Sequence, residues 1–405
     1  MCPTLVVDHI MGRSSPAFRE LSPVAVASSK PDLLPNSLEN DAVVSGETLN
    51  DDTSILLNSE MVWEGSQFVD EATYTRVLND QEKDEVNAAL KHFKDLGLDG
   101  SEVNCESFPL PTLGAHLHDL ALEVHEGRGF VNIRGLNPAA YSHEDNMLLF
   151  LGISSYIGET RGMQDDEGNI IAHIRDAKGS STPQEDRSTR HSNLALDFHN
   201  DMFANILAMH TRACATRGGN HNLASAGKVY NELAVTKPVL LDLMSSPIWG
   251  FETHGKLFGS QTRPLIYQEN GKFIMNVITR PLLGMPGVPR STDLPEMTPG
   301  KLEALLAIQA LAQKHKMCIS LQPGDMTFIN NFTILHSRDG FVDSGDDKRY
   351  LVRLWLRNEN LKWHLPEYLQ EGNCRMFEDN LEVKPTWNFQ PTPVLKFGIR
   401  ERLTP

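Results

Sequence analysis

Pro323-Gly324-Asp325-Met326-Thr327-Phe328-Ile329-Asn330-Asn331-Phe332-Thr333-Ile334-Leu335-His336-Ser337-Arg338 opens on a turn, runs into a strand and ends on a histidine reached along an apolar approach. Thirteen and seventeen residues beyond His336 stand Arg349 and Arg353, in the run Arg349-Tyr-Leu-Val-Arg353-Leu-Trp-Leu-Arg357. Side chains alternate along a strand, so the odd positions share one face while Val352, Leu354 and Leu356 share the other. Both arginines then lie on one face of a strand otherwise built for burial. A rim salt bridge would account for either. A guanidinium in a largely apolar strand must nevertheless find an anion, and a carboxylate ligand would be held bidentately.

Outward from this stretch the chain is dense in structure signals. Further β-like runs occur at Phe273–Ile278, Met326–Ile329 and Leu351–Leu356, and Arg128-Gly-Phe-Val-Asn-Ile-Arg134-Gly135 reads as a strand bounded by glycines. Asn79-x-x-Glu82 is a capping box, followed by Val86, Ala89, Leu90 and Phe93 at helical spacing and a stop at Gly97. A second helix carries Leu117, Leu120, Ala121 and Val124. A third runs over 229–244 with a break at Pro238, and a fourth starts at Thr298-Pro299 and reaches about Lys316. Strands scattered among helices without βαβ alternation predict an α+β domain on an antiparallel sheet. No Gly-x-Gly-x-x-Gly or Walker-type loop is present. Residues 1–60 differ from the rest: nine serines, five prolines, one aromatic, and three basic against nine acidic residues. Such a segment buries too little apolar surface to offset its ordering entropy, so a poorly ordered extension is expected there, ahead of one domain over 61–405. The polar, turn-rich stretch 179–191 is expected to be a lid loop.

Just after that stretch comes Leu194-Ala-Leu-Asp-Phe198-His199-Asn200-Asp201. Positions i and i+2 of an extended chain project together, so the imidazole of His199 and the carboxylate of Asp201 can grip one cation. His143-Glu-Asp145 has the same spelling but follows Ser142 and precedes an apolar run, so it reads as a helix cap with acids in the first turn. Two histidines and one carboxylate, His199, Asp201 and His336, make a facial triad with open coordination positions, the arrangement of non-haem Fe(II) oxygenases. A neighbouring arginine would suit a dicarboxylate co-substrate.

The 405 residues are 40% hydrophobic and 22% charged, which excludes collagen-like, mucin-like and wholly disordered classes. With 37 basic and 53 acidic residues the formal charge is −16, so nucleic acid and anionic membrane are not expected partners. No stretch approaches the roughly twenty apolar residues of a membrane helix. The N-terminus lacks a secretory pattern, and five scattered cysteines without a Cys-x-x-Cys pair suggest buried thiols in a reducing cytoplasm.

The sequence resembles the taurine dioxygenase-like, or clavaminate synthase-like, group of Fe(II)/2-oxoglutarate-dependent oxygenases. The resemblance runs from about Trp63 to Arg357. It rests on Gly127-Arg-Gly-Phe130…Arg134-Gly135, Leu151-Gly152…Ile157-Gly158, Phe198-His-Asn-Asp201, Arg217-Gly-Gly219…Ala224-Ser225 and Gly324-Asp325…Asn331…Leu335-His336-Ser-Arg338…Arg349…Arg353. It implies a double-stranded β-helix (jelly-roll) core with flanking helices, His199, Asp201 and His336 on Fe(II), and Arg349 on the distal carboxylate of 2-oxoglutarate. Arg353 would support that contact or hold an anionic group of the substrate. The family's Ser or Thr after the Gly-Gly pair is here Asn220-His221-Asn222, so His221 either replaces that co-substrate contact or caps a turn. Asn200 stands where the family has Thr and should face away from the metal.

The implied reaction consumes 2-oxoglutarate and O2, releases succinate and CO2, and oxidises an unactivated C–H bond by hydroxylation, desaturation or ring closure. A small polar substrate is expected, an amino acid or natural-product intermediate. Gln164, Arg190, His191, Asn193 and Phe203 are candidate substrate contacts, with Arg187, Arg190 and His191 as carboxylate clamps on the suspected lid; solvation of an exposed loop is the plainer reading of those three. Rival readings are the same chemistry on a protein or peptide, a zinc-dependent hydrolase on the same ligands, and a metal-free jelly-roll binding protein. The zinc reading lacks a His-Glu-x-x-His general base and gives the arginine pair no role.

Overall fold

In the computed structural model, the residues described are 56–397 apart from 286, 287, 289, 346, 347 and 379–381. Two sheets carry the site. The larger is built from β1 (Thr75–Val77), β2 (Phe130–Arg134), β3 (Thr160–Arg161) and β4 (Ala172–Arg175), and the smaller begins with β5 (Leu196–His199). The chain then lays down β6 (Ile206–Ala213), β7 (His221–Ser225), β8 (Met317–Ile319), β9 (Met326–Asn330), β10 (Ile334–Arg338) and β11 (Tyr350–Arg357). The large sheet has the order β1-β2-β9-β6-β11-β3, with β4 also paired to β11, and the small one β8-β7-β10-β5. The pairs are antiparallel, as expected, except the parallel edge pair β1–β2.

Strand β11 explains the layering. Leu351 and Trp355 enter an apolar cluster that fills the space between the sheets and continues beneath the helices behind the small sheet. Val352, Leu354 and Leu356 enter a second cluster on the outer face, against α1 (Asp80–Leu96), α2 (Leu113–His125) and α3 (His143–Ser154). A central strand covered on both faces must be apolar throughout, which is why the arginines on it stand out.

The local signals act as their chemistry dictates. Asn79 Oδ1 accepts from the Glu82 N–H at 2.9 Å while the Glu82 carboxylate accepts from the Asn79 N–H at 2.9 Å, and Gly97 closes α1 in a left-handed conformation (φ 65°). Ser142 caps α3 through the Asp145 N–H, so the 143–145 triplet is a helix start. Pro238 splits the third helix into α4 (Ala226–Thr236) and α5 (Pro238–Ser245), since its ring cannot continue a preceding turn. The fourth, α6 (Pro299–His315), starts at the Thr298 cap and packs on the small sheet. A last helix, α7, spans Glu367–Phe377. Arg134 at the end of β2 forks onto Asp325 at 2.7 and 2.9 Å, which pins the turn that feeds β9.

Most of the 1–60 extension lies outside the described residues. Leu57 docks on α4, its N–H and C=O both bonded to the Asn231 side chain at 2.8 Å. No disulfide forms among the described cysteines, but the expected burial does not hold: Cys105, Cys318 and Cys374 are exposed and Cys214 is half-buried. Among the described residues no helix is long and apolar enough to cross a membrane.

Burial holds several histidines well below their usual range: His173 to about 4, and His191, His210 and His221 to about 3. The unfolded chain takes up these protons below about pH 6.5 and the folded chain does not, so stability falls with pH between about 6.5 and 4. Each such group contributes up to about 1.4 kcal/mol per pH unit. His210 lies on the outer face of β6 beside Phe150, with ring centroids 5.3 Å apart. His210→Leu is expected to shrink the fall in thermal midpoint between pH 7 and pH 5; an unchanged fall would count against the buried-neutral assignment.

Candidate active site

His199 ends β5 and His336 lies mid-way along β10, and the two are direct antiparallel partners in the small sheet. That register brings their rings to 4.1 Å between centroids. Asp201 follows in the turn beyond β5, and its Oδ1 lies 3.8 Å from His199 Nε2 and 3.7 Å from His336 Nε2. The three ligand atoms all fall within 4.8 Å of one another, and all three residues are buried.

The turn is held by amides. Asn331 Oδ1 accepts from the Asp201 N–H at 2.7 Å, and its Nδ2 donates to the carbonyls of Asp201 (2.6 Å) and Ala204 (2.8 Å). Asn200 points away from the triad, as expected, and bonds the carbonyls of Asn331 and Ile334 and the N–H of Val277.

The protonation states suit a cation. His199 Nδ1 donates to the Asp197 carbonyl at 2.8 Å, which leaves Nε2 as a lone-pair donor toward the centre. Burial pushes His199 down, partly opposed by Asp201, and pushes His336 well below its ordinary value, so both rings are neutral. Asp201 Oδ2 is occupied by Trp355 Nε1 at 2.5 Å and Arg353 Nη1 at 3.1 Å. Oδ1 is buried with no hydrogen-bond partner. A bare carboxylate oxygen facing two neutral imidazole nitrogens fits a divalent metal, and the two-nitrogen, one-oxygen set is that of a non-haem iron centre.

One cleft joins this centre to the arginines. Its walls include Ile174, Leu196, Leu207 and Met209, with His221, Arg190, Arg338, Arg349 and Arg353 among the polar groups. Arg349 is buried; its Nε donates to the Gly219 carbonyl at 3.1 Å and its Nη1 has no partner. Burial lowers it to about 10, so it stays charged. Gly219 (φ 72°) is needed there, because a Cβ would lie 2.7 Å from Arg349 Cδ. His221 lies beside His336, ring centroids 6.2 Å apart, with its Nδ1 buried and unpartnered, so the turn-capping role is not what its ring performs.

Other expected residues divide. Arg353 shares the cleft but its contacts are with the metal-ligand carboxylate and with Gln164, whose Oε1 accepts from Arg353 Nε at 2.7 Å. Gln164 is fully buried behind that arginine. Arg190 lines the cleft and pairs with Asp165 at 2.9 Å. Arg187 is neither a clamp nor solvated: it is buried on Asp176 (2.9 Å) and the Thr182 carbonyl. His191 packs on Phe397 (5.3 Å), Asn193 uses its backbone to tie Gln184 and Phe341, and Phe203 packs in the core on Phe258 (5.1 Å). None of these last three is on the cleft wall.

Three features were not read from the sequence. Trp355 lies on the odd face of β11 with both arginines, a placement that period two already implied. Arg338, buried two residues after His336, holds the 189–194 segment by donating to the carbonyls of Thr189, Ser192 and Leu194 at 3.2, 2.8 and 2.6 Å. The C-terminal stretch reaches the start of the 179–191 stretch, where the Leu395 carbonyl accepts from the Ser181 N–H and the Phe397 N–H donates to Thr182 Oγ1.

Sheets, triad and cleft define a mononuclear non-haem oxygenase. The chain belongs to the taurine catabolism dioxygenase TauD, TfdA family, whose model matches residues 91–355. It is 36% identical over 345 residues to the taurine hydroxylase-like protein SAT17 of Stachybotrys chartarum, covering 83% of this chain and 89% of that protein. It is 25% identical over 308 residues to the FR-33289 synthase of Streptomyces rubellomurinus, covering 74% and 89%. The fold matches an asparagine oxygenase seen with Fe(II), 2S,3S-3-hydroxyasparagine and succinate, at TM-score 0.54 and 16% identity over 70% of this chain and 93% of that one. The protein is therefore an α+β enzyme on a double-stranded β-helix and an Fe(II)/2-oxoglutarate-dependent dioxygenase, as the sequence implied.

Proposed function

We propose that this dioxygenase oxidises an unactivated C–H bond of a small polar substrate bearing an acid group, an amino acid or a natural-product intermediate, and converts 2-oxoglutarate to succinate and CO2. One observation carries the reading: a single cleft is lined both by His199 and His336, whose Nε2 atoms face the partnerless Asp201 Oδ1, and by buried Arg349 with its partnerless Nη1. His199, Asp201 and His336 hold the iron, and iron with bound co-substrate supplies the oxidant for C–H cleavage. Arg349 and the neutral His221 ring receive the distal carboxylate of 2-oxoglutarate, which fixes the co-substrate's orientation. The apolar wall of Ile174, Leu196, Leu207 and Met209 excludes water and receives the substrate's carbon frame.

Segment 179–191 is the lid over this cleft, and Arg190 on it takes the substrate's acid group. Asn169 also donates to both oxygens of Asp165 at 2.9 and 3.0 Å, so that carboxylate keeps hydrogen bonds when Arg190 turns to the substrate. The exposed thiols of Cys105, Cys318 and Cys374 suit a reducing, cytoplasmic setting. The amino-acid class is supported by the hydroxyasparagine seen in the asparagine oxygenase of like fold, and the natural-product class by the relative named as a synthase.

The test is succinate release from 2-oxoglutarate across a panel of amino acids and their sulfonate analogues. At least one acid-bearing compound is expected to stimulate release. Arg190→Met is then expected to raise the KM for that compound roughly tenfold, the worth of one charged hydrogen bond, and to leave the KM for 2-oxoglutarate unchanged. Stimulation by peptides alone would overturn the small-substrate reading.

A further inference from the structure

Asp201 is an asymmetric ligand. Its Oδ1 faces the two imidazoles, while its Oδ2 receives two donors from one strand, Trp355 Nε1 at 2.5 Å and Arg353 Nη1 at 3.1 Å. β11 supplies both because residues two apart in a strand share a face. The donors are themselves fixed. The indole is 1% exposed, and the Arg353 guanidinium lies over its ring at 4.6 Å while its Nε is held by Gln164. The indoles of Trp63, Trp249 and Trp363 all donate to backbone carbonyls; Trp355 alone among the described tryptophans donates to a carboxylate.

We infer that Trp355 is a positioning residue of the iron centre, which with Arg353 occupies Asp201 Oδ2 so that the carboxylate offers the metal a single oxygen. The idea rests on the iron reading above and adds to it. Without the two donors the carboxylate would be free to rotate or to present both oxygens, and a second oxygen on the metal would take a position the co-substrate needs. The indole gives a neutral donor of fixed direction. Arg353 gives charge that offsets the buried carboxylate, so its work is on the metal ligand.

Trp355→Phe keeps the ring and removes the donor. Fe(II) affinity is measured without oxygen by competition with a fluorescent chelator, and co-substrate binding by the visible charge-transfer band formed on adding 2-oxoglutarate to Fe(II)-loaded protein. Loss of an outer partner predicts Fe(II) binding weaker by roughly 10- to 100-fold, with the band restored at saturating Fe(II). Fe(II) affinity within about twofold of the parent would overturn the assignment. No band in the parent would instead sink the iron reading, and the tryptophan's role with it. Should the variant not fold, the parent protein decides by nuclear magnetic resonance. One of the five indole N–H signals should move when diamagnetic Zn(II) is added, and five unmoved signals would overturn the proposal.

Discussion

His199→Ala should leave no succinate formation above the iron-free background. The imidazole it removes is one of two that face Asp201 Oδ1, and its Nε2 is aimed by the bond from Nδ1 to the Asp197 carbonyl. Two donors remain, and two do not hold a divalent ion against water in a site built for three. Loss of an outer-sphere partner lowers metal affinity or activity by roughly 10- to 100-fold, so loss of a ligand itself should exceed the upper end. The fold should survive. A neutral ring is removed and Asn331 still grips the turn through three hydrogen bonds, so the thermal midpoint serves as the control. Fe(II) titration gives the second readout: the charge-transfer band with 2-oxoglutarate should be absent in this variant. Uncoupled succinate formation persisting at more than about one-hundredth of the parent rate would remove His199 from the ligand set.

The triad was legible in the sequence because each member lies on or beside a strand whose period is visible. His336 follows an apolar approach, His199 an alternating one, and antiparallel pairing makes them partners. The two-faced burial of β11 was legible for the same reason, and Arg349 and Arg353 do share a face. What the second arginine touches was not legible. Period gives a face and says nothing of which neighbour crosses it, and the neighbours, Gln164 and Asp201, come from segments 189 and 152 residues away. Segment 179–191 misled by composition. Its serines and charged residues look solvated, yet Arg187 turns inward onto Asp176 and the Thr182 carbonyl and Arg338 donates to the Thr189 carbonyl, so polarity there marks internal bonding. Phe203 stands close to Asp201 in sequence and His191 on the expected lid, but neither position says what the ring packs on, which is Phe258 for the one and Phe397 for the other. The C-terminal anchoring by Leu395 and Phe397 has no periodic signal at all.

Arg349→Gln should raise the KM for 2-oxoglutarate by roughly ten- to a hundredfold, the equivalent of about 1.5–3 kcal/mol for a hydrogen bond to a charged group. The guanidinium is buried and still charged, its Nε is tied to the Gly219 carbonyl, and its Nη1 is unpartnered in the cleft beside His221. A buried cation so placed is costly unless an anion arrives, and a distal carboxylate supplies one. Glutamine keeps a donor and loses the charge, so binding should weaken while turnover at saturating co-substrate falls less. Lysine keeps the charge and loses the fork, and should fall between the two. Fe(II) affinity measured without co-substrate should not move in either variant, which separates this arginine from Arg353. Gly219→Ala provides an independent check that leaves every charge in place. Its Cβ would lie 2.7 Å from Arg349 Cδ at a backbone φ of 72°, so the guanidinium must shift, and the same rise in KM should follow. An Arg349→Gln enzyme with an unchanged KM for 2-oxoglutarate would take the co-substrate carboxylate away from this arginine and leave His221 as the group to test next.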